Sequence, residues 1–273
     1  MQRALEKELK SWKINKLRYP LLLRGARQVG KTYLVEKFGR EEFESLVSVN
    51  FEALPQVAGC FESSLDPTEV LLKLEAVTKL AIKPGKTLLF LDEIQACPRA
   101  VVALRYFKER MPDLHVIGAG SLLEFALVEG KFSFPVGRVQ FMYLKPLSFQ
   151  EYALARGLLE ELDLLKICNL QSPPTVEVHE RMLQLVKEYF LIGGMPAAVD
   201  LFCESSSLQA CSNIHEILLA TYRADFSKYA TDAEQKYLRV LLEGIPQTVG
   251  QQFKYSKIDS HMRSRELKIA LDQ

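Results

Sequence analysis

The sequence predicts an α/β fold: a parallel five-stranded sheet with helices on both faces, followed by a helical region. Three observations carry this. Short apolar runs alternate with helical stretches of ten or more residues between about 14 and 152, the pattern that right-handed crossovers produce. The runs themselves, such as Leu21-Leu22-Leu23 and Leu88-Leu89-Phe90-Leu91, are continuously apolar, as strands covered on both faces are. Beyond Glu151 the strand signals stop and leucine-rich helical periodicity takes over.

In chain order, Leu5, Leu9 and Trp12 make one stripe of a short amphipathic helix over residues 1 to 13. Pro20 to Leu23 is the first strand. A helix follows through Tyr33, Leu34, Val35 and Phe38, and Gly39 is expected to end it. Leu46 to Phe51 is β-rich and forms the second strand. Asp66-Pro67 supplies a capping carboxylate and a proline where no N–H is needed, starting a helix that carries Val70, Leu71, Leu74, Val77 and Leu80. Pro84-Gly85 breaks the chain before the third strand, Thr87 to Leu91. Pro98 opens the next helix, and Leu114 to Ala119 and Val139 to Leu144 are the fourth and fifth strands. Helices are then expected over about 153 to 166, 177 to 190, 197 to 204 and 208 to 226, with breaks at Ser172-Pro173-Pro174 and Gly193-Gly194-Met195-Pro196. Thr231 and Glu234 have capping-box spacing for a further helix to Leu242. The expected division is an α/β domain over 1–152, a helical domain over 153–231 and a last segment over 232–273.

Composition narrows the function. The chain has 273 residues, 48% hydrophobic and 25% charged, which excludes disordered and disulfide-stapled classes. Lys+Arg number 35 against 34 Asp+Glu, so no global charge addresses nucleic acid or membrane. No apolar run reaches the length of a bilayer span and the first residues are charged, so a cytoplasmic protein is expected. The five cysteines form no C-x-x-C pair. Cys211 and His215 share a helix face, but two ligands do not make a zinc site, and the pair reads as a buried thiol beside an ordinary histidine.

The strongest motif is Gly25-Ala26-Arg27-Gln28-Val29-Gly30-Lys31-Thr32, a full match to G-x-x-x-x-G-K-[ST] between a predicted strand and a predicted helix. The glycines let the loop turn so that backbone N–H groups converge on a phosphate, and the helix adds the positive end of its dipole. Lys31 can reach β- and γ-phosphate oxygens, and the Thr32 hydroxyl can ligate magnesium. Residues 25 to 32 with Tyr33 are the candidate nucleotide-binding residues. Downstream, the third strand ends in Asp92-Glu93. A carboxylate at a strand tip beside such a loop can hold magnesium, the role expected of Asp92, and its neighbour Glu93 can orient or deprotonate an attacking water.

An intervening strand between these motifs, and another after them, resembles the branch of P-loop proteins to which the AAA-type ATPases belong. The likeness is closer than that. Gly-Ala-Arg-Gln-Val-Gly-Lys-Thr, Leu91-Asp92-Glu93-Ile94-Gln95, Gly120-Ser121, Phe134-Pro135-Val136-Gly137-Arg138-Val139, Leu147-Ser148-Phe149-Gln150-Glu151 and Gly193-Gly194-Met195-Pro196 resemble a group of prokaryotic AAA-type ATPases with a C-terminal domain of uncharacterised function. The resemblance implies that the fourth strand inserts between the first and third, and that ATP and Mg2+ are the ligands. It makes Ser121 the candidate γ-phosphate sensor, with a helix N-cap as the alternative role. It makes Arg138, in a loop expected near the nucleotide edge, the candidate arginine for the γ-phosphate, within its own subunit or on a neighbour in a homo-oligomer; a surface pair with carboxylates is the alternative. Arg223 is a fainter candidate for a lid arginine. It also implies a winged-helix-like unit beginning near Phe253 to Lys257 and Ser264 to Lys268, against which the chain is expected to be truncated at Gln273. The basic tail, with Lys254, Lys257, Arg263, Arg265 and Lys268, could meet DNA phosphates or be a solvated face. The expected activity is magnesium-dependent ATP hydrolysis coupled to movement of the helical and C-terminal regions; the alternative is an ATP-liganded DNA-binding regulator with negligible turnover.

Overall fold

The computed structural model describes residues 1–120 and 137–272. Five strands, β1 (Leu21–Arg24), β2 (Ser45–Asn50), β3 (Thr87–Asp92), β4 (His115–Ala119) and β5 (Gln140–Tyr143), form one sheet in the order β2-β3-β4-β1-β5. Every neighbouring pair is parallel. The fourth strand therefore lies between the first and third, as the resemblance implied.

The alternation of side chains along each strand builds two cores. Leu22, Leu89, Leu91 and Val116 face helices α3 (Pro67–Thr78) and α4 (Pro98–Arg110), which contribute Val70, Leu74, Leu104 and Phe107. Leu21, Leu23, Leu88, Phe90 and Ile117 face the other way, onto α1 (Leu5–Ile14) and α2 (Lys31–Glu42). The stripe predicted for α1 is the buried one: Leu5, Leu9 and Trp12. Asp66 caps α3 by accepting the Thr68 N–H at 3.0 Å.

Two expectations are corrected. Gly39 does not end α2, which continues to Glu42. Gly39 is buried against β2, where an added Cβ would stand 2.8 Å from Leu46 Cδ1, so the glycine serves a close approach. The helix expected over 153 to 166 is two helices, α5 (Phe149–Ala155) and α6 (Leu159–Ile167). Gly157, with φ 78°, adopts the left-handed conformation between them. Helices α7 (Val176–Ile192), α8 (Pro196–Ser205) and α9 (Leu208–Tyr229) follow.

The chain divides into two compact units, Met1–Cys211 and Ser212–Gln273. Within the second, α10 (Asp232–Gly244) begins at a complete Thr231–Glu234 capping box. Leu238 and Leu241 of α10 pack on Leu267 and Ala270 of α12 (Ser264–Asp272), with the short α11 (Tyr255–Ile258) completing a small helical core. Among the described residues, no helix is long and apolar enough to cross a membrane.

Candidate functional site

The carboxyl ends of β1, β3 and β2 meet at one edge of the sheet. The chain leaves β1 at Gly25, whose φ is 148°. A Cβ there would lie 2.1 Å from the Leu144 carbonyl oxygen just beyond β5, so only glycine lets the loop pass. Two further left-handed residues, Gln28 at φ 65° and Gly30 at φ 90°, turn the chain into α2. The first N–H groups of that helix have no intrahelical acceptor and present its positive end.

Lys31 is the first residue of α2 and is buried. Its Nζ donates to the carbonyls of Gly25 and Ala26, each at 2.9 Å. Thr32 Oγ1 donates to Asp92 Oδ2 at 2.9 Å. Asn50, the register partner of Asp92 at the end of β2, donates to the same oxygen at 3.1 Å. The other Asp92 oxygen accepts the Glu93 N–H at 3.1 Å. Glu93 itself stands at φ 48°, a conformation that costs a non-glycine residue about 1–3 kcal/mol and gathers at functional sites. Gln95 Nε2 donates to Glu93 Oε2 at 2.6 Å, while Gln95 Oε1 is buried with no partner among the described residues.

Burial sets the electrostatics. It lowers the Lys31 pKa, against the raising effect of Glu93 and Asp92. It raises that of Asp92, against the Thr32 hydrogen bond, with the Glu93 charge adding to the rise. Two opposite charges are thus desolvated side by side. The oxygen donors Thr32 and Asp92 suit magnesium, which prefers hard oxygen ligands and keeps several waters. The ammonium, the glycine turns and the helix terminus suit a polyphosphate. Beside the loop, Val29, Gly30, Tyr33, Leu147, Pro196 and Asp200 line a cavity of about 260 Å³. Gly194 brings the strand-exit segment close to that wall: a Cβ on it would meet the Leu147 oxygen at 2.2 Å.

The remaining candidates lie elsewhere. Ser121 falls outside the described residues. Arg138 does not lie at the nucleotide edge. It precedes β5, whose Gln140 pairs with Leu21, whereas Leu144 at the far end of that strand abuts the loop. About 13 Å of strand separates these two ends. Arg138 is exposed and pairs with Glu109 near the end of α4 at 3.1 Å. Arg223 pairs with Glu243 within the second unit at 3.2 Å. Cys211 is buried and donates to the Ala198 carbonyl at 3.4 Å. Two residues of the site went unassigned in the sequence. Asn50 is signalled only by a polar amide ending a β-rich run, and Gln95 only as part of a motif without a role.

A phosphate-binding loop between β1 and α2, an acidic strand tip beside it and the strand order β2-β3-β4-β1-β5 define a P-loop nucleotide-binding α/β protein. An AAA domain family model matches residues 17–153, and the chain belongs to that family of nucleotide-binding ATPases. A second family model, a domain of unknown function, matches residues 183–273. No curated protein matches the chain. Solved structures similar to it include the ORC2 protein of Aeropyrum pernix in ADPNP–ADP complexes, at 13% identity, with 99% of this chain and 85% of that one covered and a TM-score of 0.46. AMPPCP-bound DnaA from Aquifex aeolicus gives 12% identity, 98% and 74% coverage and a TM-score of 0.39. PCH-2 of C. elegans gives 16%, 81% and 69%, and 0.43. Scores this low carry no weight for the fold, which rests on strand order and the family match.

Proposed function

We propose that the protein is a magnesium-dependent ATPase that cleaves the β–γ phosphoanhydride of ATP. The observation that carries this is the meeting of Thr32 and Asp92 at 2.9 Å beside the buried Lys31. On this reading Lys31 leaves its loop carbonyls for β- and γ-phosphate oxygens, and the loop N–H groups hold the β-phosphate. Thr32 and Asp92 hold the magnesium ion, which supplies charge neutralisation on the phosphates. Glu93 accepts a proton from, or orients, the attacking water, and Gln95 fixes its carboxylate. The cavity between Tyr33 and Pro196 takes the base. We assign residues 153–231 as the lid that nucleotide moves and 232–273 as a partial winged-helix-like segment, a candidate DNA contact. Because Arg138 lies at the opposite edge of the sheet, we assign it to the nucleotide of a neighbouring copy in a homo-oligomer, where an arginine of this kind contributes about 10³–10⁵ in rate.

The test is steady-state ATP hydrolysis with magnesium, with and without duplex DNA, using Glu93→Gln as the blank. Turnover should fall about 10²- to 10⁴-fold in that variant while ATP binding persists. Hydrolysis at the parent rate by Glu93→Gln contradicts the assignment. Tight ATP binding without turnover in the parent favours a nucleotide-liganded switch instead.

A further inference from the structure

Arg3 precedes α1 and is only 7% exposed, a depth at which arginine is found when paired. Its guanidinium joins three segments far apart in the chain. Nε donates to Glu151 Oε1 at 3.1 Å, Nη1 to the Val29 carbonyl at 2.9 Å and Nη2 to the Lys145 carbonyl. Val29 belongs to the phosphate-binding loop, Lys145 follows β5, and Glu151 sits in the first turn of α5, where the leucine-rich helical region begins.

Glu151 is equally committed. Its Oε1 also accepts the Ala4 N–H at 2.7 Å, and its Oε2 accepts the Ser148 N–H at 2.8 Å in a capping box. Burial works against ionisation, but these N–H groups and Arg3 overcome it and hold the carboxyl below its usual range. Packing alone does not require such a pair, since apolar residues often replace buried ion pairs without loss. What arginine adds is a planar fork that addresses a carboxylate and two carbonyls at once. Because the peptide unit is planar and trans, holding the Val29 carbonyl from one side fixes the direction of the Gly30 N–H on the other.

We propose that Arg3 is a positioning residue of the nucleotide site: it orients the Val29–Gly30 peptide and ties it to Glu151, so that the placement of α5 is transmitted to the phosphate-binding loop. This rests on the nucleotide reading above. Arg3→Lys keeps a charge for Glu151 but lacks the planar fork that addresses the carboxylate and both carbonyls together, and Glu151→Gln takes the charge from the anchor without touching the loop.

The experiment compares the parent, both variants and the double variant, in full-length protein, by titration with a fluorescent ATP analogue. It also follows hydrogen–deuterium exchange of the peptide covering Gly25 to Thr32 without nucleotide, and thermal melting. Each single variant should weaken binding about tenfold, the worth of one hydrogen bond of about 1.4 kcal/mol, and speed loop exchange. The double variant should fall short of the product of the two effects, because both break one chain of contacts. Variants that melt at lower temperature yet bind with parental affinity and exchange at the parental rate overturn the positioning role and leave only a structural one. If the parent itself does not bind the analogue, the nucleotide reading fails and this inference with it, an outcome distinct from equal binding by all four proteins.

Discussion

The two edges of the sheet treat buried polar groups in opposite ways. At the edge where the strands begin, Arg18 donates to the carbonyls of Pro112 and Asp113, Trp12 Nε1 donates to Tyr19 O, and His115 engages Lys13 O at 3.1 Å and Arg18 Nη2 at 3.5 Å. Burial pushes His115 down to about 4, so it is neutral at pH 7. At the edge where the strands end, burial also presses on Lys31 and Asp92, but they carry opposite charges. Gln28 and Glu93 are strained there, whereas the other left-handed non-glycine residues among those described, Lys79 and Ser206, merely cap helices. One edge meets most of its polar groups with protein carbonyls, leaving Arg18 Nε buried without a hydrogen-bond partner among the described residues. The other holds charges whose partners are stand-ins, chiefly the loop's own carbonyls around Lys31, which is how perturbed groups gather where a ligand binds.

The contrast breaks most sharply at Lys31. Lys31→Met should lose at least about 100-fold in ATP affinity by calorimetry, since charge-assisted hydrogen bonds to phosphate contribute about 1.5–3 kcal/mol each. Its melting temperature should not fall, because a desolvated ammonium is replaced by an apolar chain of similar length. Undiminished affinity would remove the phosphate loop from the argument, and a large drop in melting would make this edge structural like the other.

His115 tests the opposite edge through pH. Its folded-state value of about 4 lies below the unfolded value of 6.5, so between them the unfolded chain binds a proton that the folded chain excludes. The stability is full above pH 6.5 and is lost as pH falls towards 4, by about 3 kcal/mol across the interval. His115→Gln can keep a donor for Lys13 O but does not titrate. Its urea midpoint should therefore change less than the parent's between pH 7 and 4.5, and identical slopes would show that His115 is not the sensitive group.

Much of this was legible in the sequence because local rules and global fold agree. The continuously apolar runs of β1 and β3 supply both cores at once, successive residues facing opposite sides, and Asp66-Pro67 and Thr231–Glu234 state their own caps. Thr32 and Asp92, named from motifs 60 positions apart, share a hydrogen bond. Gly39 was misread because its reason is a neighbour, Leu46, that periodicity does not reveal. The break at Gly157 hides within leucine-rich spacing that continues across it. Arg138 was misplaced by treating a loop next to a strand as near the nucleotide, although in a parallel sheet the loop entering a strand lies at the opposite edge. Asn50 and Arg3 act through side-chain bonds across long separations, for which no spacing rule exists, and Gln95 acts on Glu93 two residues before it through a side-chain bond that the motif does not announce.

The smallest effect sharpens the comparison furthest, because it sits on the same strand as Asp92. Thr87 opens β3 and is fully buried; its Oγ1 accepts the Lys83 N–H at 2.9 Å and bonds Ser45 Oγ at 2.7 Å. Thr87→Val preserves shape and removes both bonds. Ser45 and Lys83 are exposed and can turn to water, so the loss should be about 1 kcal/mol, read as a lower urea midpoint. Asp92 closes the same strand, and every bond it makes is local to its own edge. ATP affinity should therefore be unchanged in Thr87→Val. A shift of more than about threefold, roughly 0.65 kcal/mol, would mean that β3 transmits strain along its length and that the two edges are not independent.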